Sequence, residues 1–237
     1  MEKPGSRMRL FAQGVRDGIP IALGYFAVAF SLGIAARNAG LMPMEGFLAS
    51  FLCSASAGEH ALFTLIAAGA GYMETALVSL VTNARYFLMS CALSQKFAPE
   101  TPLLHRVLIG TKVTDELFGL NIARPRTVQP AYSYGAMLLP VLFWAAGTAS
   151  GIRMGTLLSP RIVSALSVAL YGMFLAVIIP PARKSAPIAV CVAAGFLFSL
   201  AAQAVPLIAG LSEGTRTILL TVGIASAAAL LFPVKEA

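Results

Sequence analysis

The stretch "FLCSASAGEHALF", Phe51–Phe63, decides the fold class because it sets a glutamate and a histidine inside a long apolar run. Between residues 47 and 70, Glu59 and His60 are the only side chains that can carry a charge near neutral pH. About 20 apolar residues in a helix cross the hydrocarbon core of a bilayer. The run is therefore long enough to cross a membrane, and it predicts a membrane segment that contains a carboxyl group.

The composition of the whole chain agrees with this interpretation. Of the 237 residues, 58% are hydrophobic and 11% are charged, whereas a soluble domain carries about 25% charged residues. The charged residues occur in groups, and apolar runs of membrane-spanning length separate these groups. The sequence thus predicts an all-α, polytopic bundle of transmembrane helices.

We predict about six or seven membrane segments in a single transport domain that covers residues 1–237. A first half, 17–95, and a second half, 130–232, flank a polar connector at 95–129. The first apolar run is too long and too rich in glycine and alanine for a signal peptide, so we interpret it as a retained span. The apolar runs lie near residues 19–36, 46–70, 74–94, 132–150, 162–180, 186–207 and 215–232.

The second apolar run carries a signal of irregular structure. "SASAG", Ser54–Gly58, is a series of small side chains between two apolar pieces of half the spanning length. Small residues permit a broken or re-entrant helix beside a cavity, or a continuous helix with a close packing face, and both alternatives stay open. A weak similarity between the two halves also indicates an inverted repeat with three spans in each half.

The basic residues indicate the orientation. With the N-terminus and the connector in the cytoplasm, twelve lysine and arginine residues lie inside and four outside, as the positive-inside rule requires. This orientation needs an even number of crossings between residues 18 and 95, where the hydropathy shows three apolar segments. Either one segment fails to cross simply, or the helix at 103–122 also crosses. The net charge of +7 indicates loops beside anionic lipid rather than a nucleic-acid partner.

Ionisable side chains within the spans are the first candidate functional residues. A charged carboxylate near the bilayer centre costs about 2.5–3.5 kcal/mol. We therefore expect Glu59 to bind a cationic group, to carry a proton, or to form hydrogen bonds as its neutral acid. Arg85, in "VTNARYFLMS", keeps its charge and needs a partner or water. We expect Glu59 to be that partner, either in a fixed pair or in a pair that a substrate carboxylate displaces.

A second group of polar residues lies in the connector. "KVTDELFGL", Lys112–Leu120, is typical of a helix start, with Thr114 as the N-cap and Asp115 and Glu116 in the first turn. The apolar spacing across residues 105–120 predicts a helix at the membrane interface or against the bundle. No phosphate-binding loop, zinc motif or nucleophile motif is present in the sequence. We therefore predict no enzyme activity, no cofactor and no metal.

The order of these elements resembles the AzlC family, the large subunit of branched-chain amino acid exporters, over nearly the whole chain. After residue 130 the resemblance rests mainly on hydropathy and on "GMFLAVIIP". The chain departs from the family pattern at Glu59, where a glutamine is usual, and at Tyr86, where a histidine is common. The motifs that carry the resemblance are D-x-x-P, R-Y-x-L and T-D-E-x-F, at Asp17 and Pro20, at Arg85, Tyr86 and Leu88, and at Thr114, Asp115, Glu116 and Phe118.

The resemblance implies a multi-pass transporter of the bacterial inner membrane, with a cytoplasmic N-terminus, that exports branched-chain or similar small apolar amino acids. It implies proton coupling and a small membrane partner of the AzlD type. An amino acid zwitterion needs an anionic contact, a cationic or helix-end contact, and an apolar pocket. We expect Glu59 or Asp115 to supply the anionic contact and to be the candidates for proton coupling. The apolar pocket is expected to include Ala57, Phe63 and Met89.

The predicted substrate-binding residues share a position in or beside the broken segment, the third span or the connector motif; they are Glu59, Arg85, Asn83, Gly58, Ser56, Asp115, Glu116 and Thr114. Two alternatives to amino acid export stay open at this point. One is a transporter or channel for another small solute. The other is a membrane assembly subunit without a transport path, in which Glu59 and Arg85 only form a structural pair.

Overall fold

The computed structural model is almost entirely helical, as predicted. A bridge between Phe97 and Val128 is the one extended pairing among the residues that the structure describes. Most of the span predicted at 162–180 lies outside them. The described residues are 4–124, 127–155, 157, 159, 161, 162, 165, 168, 175, 178–205 and 211–232.

Ten helices have both of their ends within the described ranges. The first and the eighth are long, and the six between them are short. In chain order they are α1 Pro4–Asn38, α2 Pro43–Cys53, α3 Ser56–Ala67, α4 Tyr72–Thr82, α5 Ala84–Lys96, α6 Leu103–Gly110, α7 Asp115–Ile122, α8 Pro130–Met154, α9 Ala186–Ala204 and α10 Glu213–Leu231.

Two of the described helices are long and apolar enough to cross a membrane, namely Arg7–Asn38 within α1 and Pro130–Met154. A third crossing is counted if α4 and α5 form one bent span. Helices α9 and α10 are apolar but shorter, at Ala186–Ala202 and Thr215–Leu231. The described residues therefore fit a membrane helix bundle with two clear spans, or three with the bent pair, and the predicted count of six or seven is not confirmed by them.

Helices α1 and α8 lie side by side and run in the same direction. Gly18 contacts Ala136 in the first half of each helix, and Gly33 contacts Thr148 in the second half of each. At each point a Cβ atom on the glycine would overlap the backbone of the other helix, which is how small residues let membrane helices approach closely. We call the end where both helices start the proximal end, and the other the distal end.

This parallel arrangement bears on two sequence predictions. It puts the N-terminal part of α1 and the end of the connector at the same end of the helix pair, as the even number of crossings requires. It does not fit the predicted inverted repeat, because the first helices of the two halves would then run in opposite directions.

The segment predicted at 46–70 is broken, which is the first of the two alternatives that the sequence left open. The C-cap residue of α2 is Ser54, which has a left-handed backbone with φ of 48°, and α3 starts two residues later at Ser56. The side chains of Ser50 and Glu59 are hydrogen-bonded, although nine residues would separate them by roughly 13 Å along a continuous helix. The chain therefore folds back at the break, and the distal end of the pair, around Ile152, contacts Gly46 of α2 and shares a buried cluster with Phe63 of α3.

The segment predicted as one span at 74–94 is bent by 50° between α4 and α5. The bend lies at Asn83, whose φ and ψ of −98° and 4° do not continue the helix. The segment can still form one span, with a break at this residue that the sequence did not predict. The break brings Asn83 against Gly58 of α3.

The connector forms a second helical hairpin rather than the single helix predicted across 103–122. Helix α6 ends at Gly110, and α7 starts after Thr114, whose hydroxyl accepts a hydrogen bond from the Leu117 N–H. The predicted N-cap at Thr114 is thus confirmed. The outer parts of both helices lie at the proximal end, where His105 contacts Tyr134 and Asn121 accepts a hydrogen bond from Ser133.

The two hairpins enter the bundle from opposite ends and meet at their tips. The α2–α3 hairpin comes from the distal end, and the α6–α7 hairpin comes from the proximal end. At the tips, the Lys112 ammonium lies 3.4 Å from the Ser54 hydroxyl. Both breaks thus lie in the middle of the bundle, where backbone groups freed from helices can bind a solute.

Candidate functional site

A cavity of about 820 Å³ lies between the two hairpin tips, α1, α5 and α8. It is bounded by polar groups where the tips meet and by apolar side chains elsewhere. The polar lining residues are Tyr25, Ser54, Ser56, His60, Arg85, Tyr86, Thr114, Asp115 and Glu116, and the larger apolar ones are Ile21, Val28, Trp144, Leu175, Ile178 and Phe196.

Arg85 and Asp115 form an ion pair at the wall of this cavity. Arg85 Nη2 lies 3.0 Å from Asp115 Oδ2, and nearly half of each side chain is exposed. Arg85 also donates a hydrogen bond to Tyr86 Oη at 2.8 Å. The predicted pair of Arg85 with Glu59 is therefore wrong, because α5 directs the guanidinium group to the start of α7 instead.

The start of α7 is tied to α1 through Tyr25. The Tyr25 hydroxyl lies 2.5 Å from Thr114 Oγ1 and 2.5 Å from Glu116 Oε2. Asp115 and Glu116 occupy the first turn of α7, where carboxylates are stabilised by the positive end of the helix dipole. This end of the cavity is therefore acidic, with Arg85 as its basic neighbour.

The start of α3 forms the opposite part of the polar wall. Its N-cap residue is Ala55, which makes no capping hydrogen bond through its side chain. Ser56 and Ala57, the first two residues of α3, line the cavity. A helix start whose N–H groups are left without a side-chain cap is suited to a carboxylate.

Glu59 lies outside the cavity wall and is completely buried. Its Oε2 accepts a hydrogen bond from Trp144 Nε1 at 2.6 Å, and its Oε1 accepts from the Ser50 hydroxyl. Thr148 Oγ1 lies 3.4 Å from Glu59 Oε1 and 2.7 Å from Ser50 Oγ. Both oxygens of the carboxyl group thus have donors, and the group joins α2, α3 and α8.

The Trp144 indole separates Glu59 from the cavity. The ring lines the cavity and meets the Tyr25 ring edge to face, with 5.1 Å between the ring centroids. Its N–H group points to Glu59 on the other side. The carboxyl group therefore fixes the orientation of an aromatic wall of the cavity.

The remaining predicted residues lie in four different places. Gly58 packs against the Asn83 side chain, and Asn83 lines a second cavity of about 330 Å³ on the other side of the α2–α3 break. Ala57 lines the main cavity, whereas Phe63 lies in the buried cluster at the distal end. Met89 packs against a second buried cluster, which includes Leu93 and Ile109, so neither it nor Phe63 is among the described residues of the cavity wall.

Tyr25 and Trp144 both line the cavity, and neither was among the residues predicted from the sequence. Trp144 is the only tryptophan in the sequence, and a buried indole N–H group needs an acceptor. An intramembrane carboxyl group and a lone tryptophan in separate spans were a signal for such a pair. Tyr25 lies within the first apolar run, where a phenol group also needs a polar partner.

Comparison with known proteins gives a family match. The sequence profile described as AzlC protein matches residues 20–158, which is more than half of the chain. The matched range contains Tyr25, Arg85, Asp115 and Trp144. No solved structure matches the chain.

Three relatives are membrane proteins by name. An uncharacterized membrane protein of Archaeoglobus fulgidus is 29% identical over 177 residues, which are 74% of this chain and 77% of that protein. The inner membrane protein YgaZ of Escherichia coli K12 is 25% identical over 229 residues, which are 92% of each chain. An uncharacterized membrane protein of Helicobacter pylori is 26% identical over 159 residues, which are 63% of this chain and 68% of that protein.

Proposed function

The chain belongs to the AzlC family, and from this premise we propose that it is a transporter that exports small apolar amino acids of the branched-chain type across the inner membrane. The observation that carries the proposal is the cavity, where the Arg85–Asp115 pair and an uncapped helix start face apolar walls. These groups match the three parts of an amino acid zwitterion.

Each part of the substrate has a proposed contact. The substrate carboxylate binds Arg85 and the N–H groups at the start of α3, near Ser56, since a guanidinium group and a helix start both favour an anion. The substrate ammonium binds Asp115, with Glu116 and the Thr114 hydroxyl nearby. In this proposal the substrate inserts between Arg85 and Asp115 and replaces their ion pair with two new ones.

The side chain of the substrate lies against the apolar wall. Val28, Trp144, Ile178 and Phe196 line this part of the cavity, and Ala57 leaves room beside α3. An apolar wall favours aliphatic side chains and disfavours polar ones, because burying an unpaired polar group costs free energy. This supports a substrate of the branched-chain type over a charged or strongly polar solute.

Proton coupling is proposed at Asp115, because this carboxyl group lines the cavity and contacts the proposed substrate site. Glu59 is the other candidate, and its route to the cavity passes the Trp144 indole. The remaining predicted residues, Gly58 and Asn83, are proposed to support α3 from behind. A small AzlD-type membrane subunit is the proposed partner, and the proposed orientation has the N-terminus in the cytoplasm.

The test is an export assay in cells that lack their own branched-chain exporters, with and without the small subunit. We expect internal valine, leucine or isoleucine loaded as a dipeptide to leave the cells faster when both proteins are present. A collapsed proton gradient is expected to slow this efflux. Efflux of an unrelated solute in place of the amino acids would support the alternative transporter or channel.

The double variant Arg85→Asp with Asp115→Arg separates transport from a purely structural role. The swapped ion pair keeps the link between α5 and α7 but exchanges the sites for the two substrate charges. We expect normal membrane levels of this variant and a loss of efflux. Full efflux would support an assembly subunit in which the pair is structural only.

A further inference from the structure

Lys112 stands out among the polar residues that the proposed substrate site does not use. It lies at the tip of the α6–α7 hairpin, and its ammonium group contacts the tip of the other hairpin. The Lys112 Nζ donates to the Phe51 carbonyl, and it lies 3.4 Å from the Leu52 carbonyl and 3.4 Å from the Ser54 hydroxyl. It also lies 4.8 Å from the centroid of the Phe51 ring.

These acceptors belong to the end of α2. The last carbonyl groups of a helix have no partner within the helix, and they carry the negative end of its dipole. A protonated lysine has three N–H donors, and two carbonyls and one hydroxyl stand around it here. The Lys112 ammonium is therefore the cap of α2, supplied by a residue about 60 positions further along the chain.

The contact between Lys112 and the end of α2 lies beside the cavity. Ser54, one of the acceptors, lines both the main cavity and the second cavity. Thr114 and Asp115, which line the main cavity, follow Lys112 by two and three residues. The contact therefore joins the two wall segments that carry the starts of α3 and α7.

We propose that Lys112 is a positioning residue for transport: its ammonium group holds the two hairpin tips together, and breaking this contact lets the cavity change the side on which it opens. The inference rests on the proposed function, since it assigns a role to the contact within a transport cycle. Lys112 does not touch the substrate in this proposal. It acts through the relative position of α3 and α7.

The test measures the distance between the tips without using transport. Cys53 is half-buried beside the contact and lines the second cavity, so its reactivity reports on separation of the tips. In a background with Cys91→Ala and Cys191→Ala, we measure the rate at which a small, membrane-permeant methanethiosulfonate reagent modifies Cys53 in native membranes. Loss of the nearby Lys112 charge alone disfavours the reactive thiolate and lowers this rate, so a higher rate reports on separation of the tips. Lys112→Met keeps the length of the side chain but removes its charge and its donors.

We expect Lys112→Met to raise the rate of Cys53 modification roughly tenfold or more. The reason is that hydrogen bonds from the charged Lys112 ammonium group stabilise the state in which the two hairpin tips are in contact. Lys112→Arg keeps donors and charge and is expected to stay within about twofold of the parent rate. Lys96→Met, the same change on a lysine at the end of α5, is the matched control and is expected to leave the rate unchanged. The fluorescence of Trp144, the only tryptophan, checks that each variant is folded.

An unchanged rate in folded Lys112→Met would overturn the proposal, and so would equal increases in Lys112→Met and Lys112→Arg. If Lys112→Met does not fold, Lys112→Gln is measured in the same way, and the same two outcomes decide. The labelling needs no substrate. A wild-type chain that fails to export amino acids, but shows the expected labelling differences, would therefore reject the proposed function and leave the role of Lys112 in joining the tips intact.

Discussion

Arg85 and Asp115 are 30 residues apart in sequence and form an ion pair with 3.0 Å between Nη2 and Oδ2. The pair joins α5 to the first turn of α7 at the wall of the main cavity. Both side chains remain partly exposed there, so the pair is accessible to a solute in the cavity. An exposed ion pair contributes little to stability, which argues that its neutralisation affects binding more than folding.

Asp115→Asn tests this relationship. The substitution removes the charge that the proposed site offers to an ammonium group, and a hydrogen bond to a charged group is worth about 1.5–3 kcal/mol. We expect the amino acid concentration that gives half-maximal export to rise about tenfold or more, whereas the melting temperature of the protein changes little. Glu100→Gln, in an exposed loop, is the control, and an equal effect of both changes would contradict the assignment.

Glu59 and Trp144 give a second prediction. Glutamine at residue 59 can still accept from the indole N–H group and contact the Ser50 hydroxyl, whereas alanine leaves that N–H group without an acceptor. We expect Glu59→Ala to destabilise the fold by about 1–3 kcal/mol, measured by thermal unfolding in detergent, and Glu59→Gln to retain most of the stability.

The same glutamine variant decides between a positioning role and a proton-carrying role for Glu59. A positioning role predicts that the dependence of export on pH is the same in Glu59→Gln and in the parent chain. A changed pH dependence with retained stability would instead assign proton coupling to Glu59.

Tyr25→Phe removes the hydroxyl that links α1 to the start of α7. We expect weaker substrate binding, because Thr114 and Glu116 lose the contact that orients them. In a double-mutant cycle with Glu116→Gln, the two effects are expected to be less than additive, since both variants break the same hydrogen bond. Additive effects would indicate that the 2.5 Å contact contributes nothing to binding.

The α1–α8 contact predicts different outcomes for two glycines. A Cβ atom at Gly33 would overlap the backbone of α8 at Thr148, whereas Gly195 in α9 has no atom within 4 Å of the corresponding position. We expect Gly33→Ala to cost about 1–3 kcal/mol through overpacking. Gly195→Ala is expected to be neutral or slightly stabilising in the same thermal unfolding measurement.

Local chemistry explains which features were predictable from sequence. The hydropathy identified a membrane helix bundle, "SASAG" indicated the break in the second segment, and Thr114 with two following carboxylates indicated the start of α7. Each of these signals acts within a few residues. They therefore do not depend on how distant helices are arranged.

The pairing of distant charges was not predictable in the same way. Arg85 and Glu59 lie at similar depths in the membrane if their segments are taken as straight spans, so they were the obvious partners. The bend at Asn83 and the fold-back at Ser54 change the direction of both side chains. Arg85 then meets Asp115, which the sequence placed at a helix start and among the candidate substrate contacts, but not as the partner of Arg85. The acceptor role of Glu59 toward Trp144 depends in turn on α2 and α3 lying together against α8.

The interlocked glycines of α1 and α8 have a consequence for motion. Because their backbones touch at both the proximal and the distal end, these two helices cannot slide past each other without collision, and they serve as a rigid spine. The short helices α2 to α7 are joined to one another through breaks and turns that can act as hinges. For the proposed transport cycle, we therefore expect the short helices to swing against this spine, rather than one half of the molecule to rock over the other.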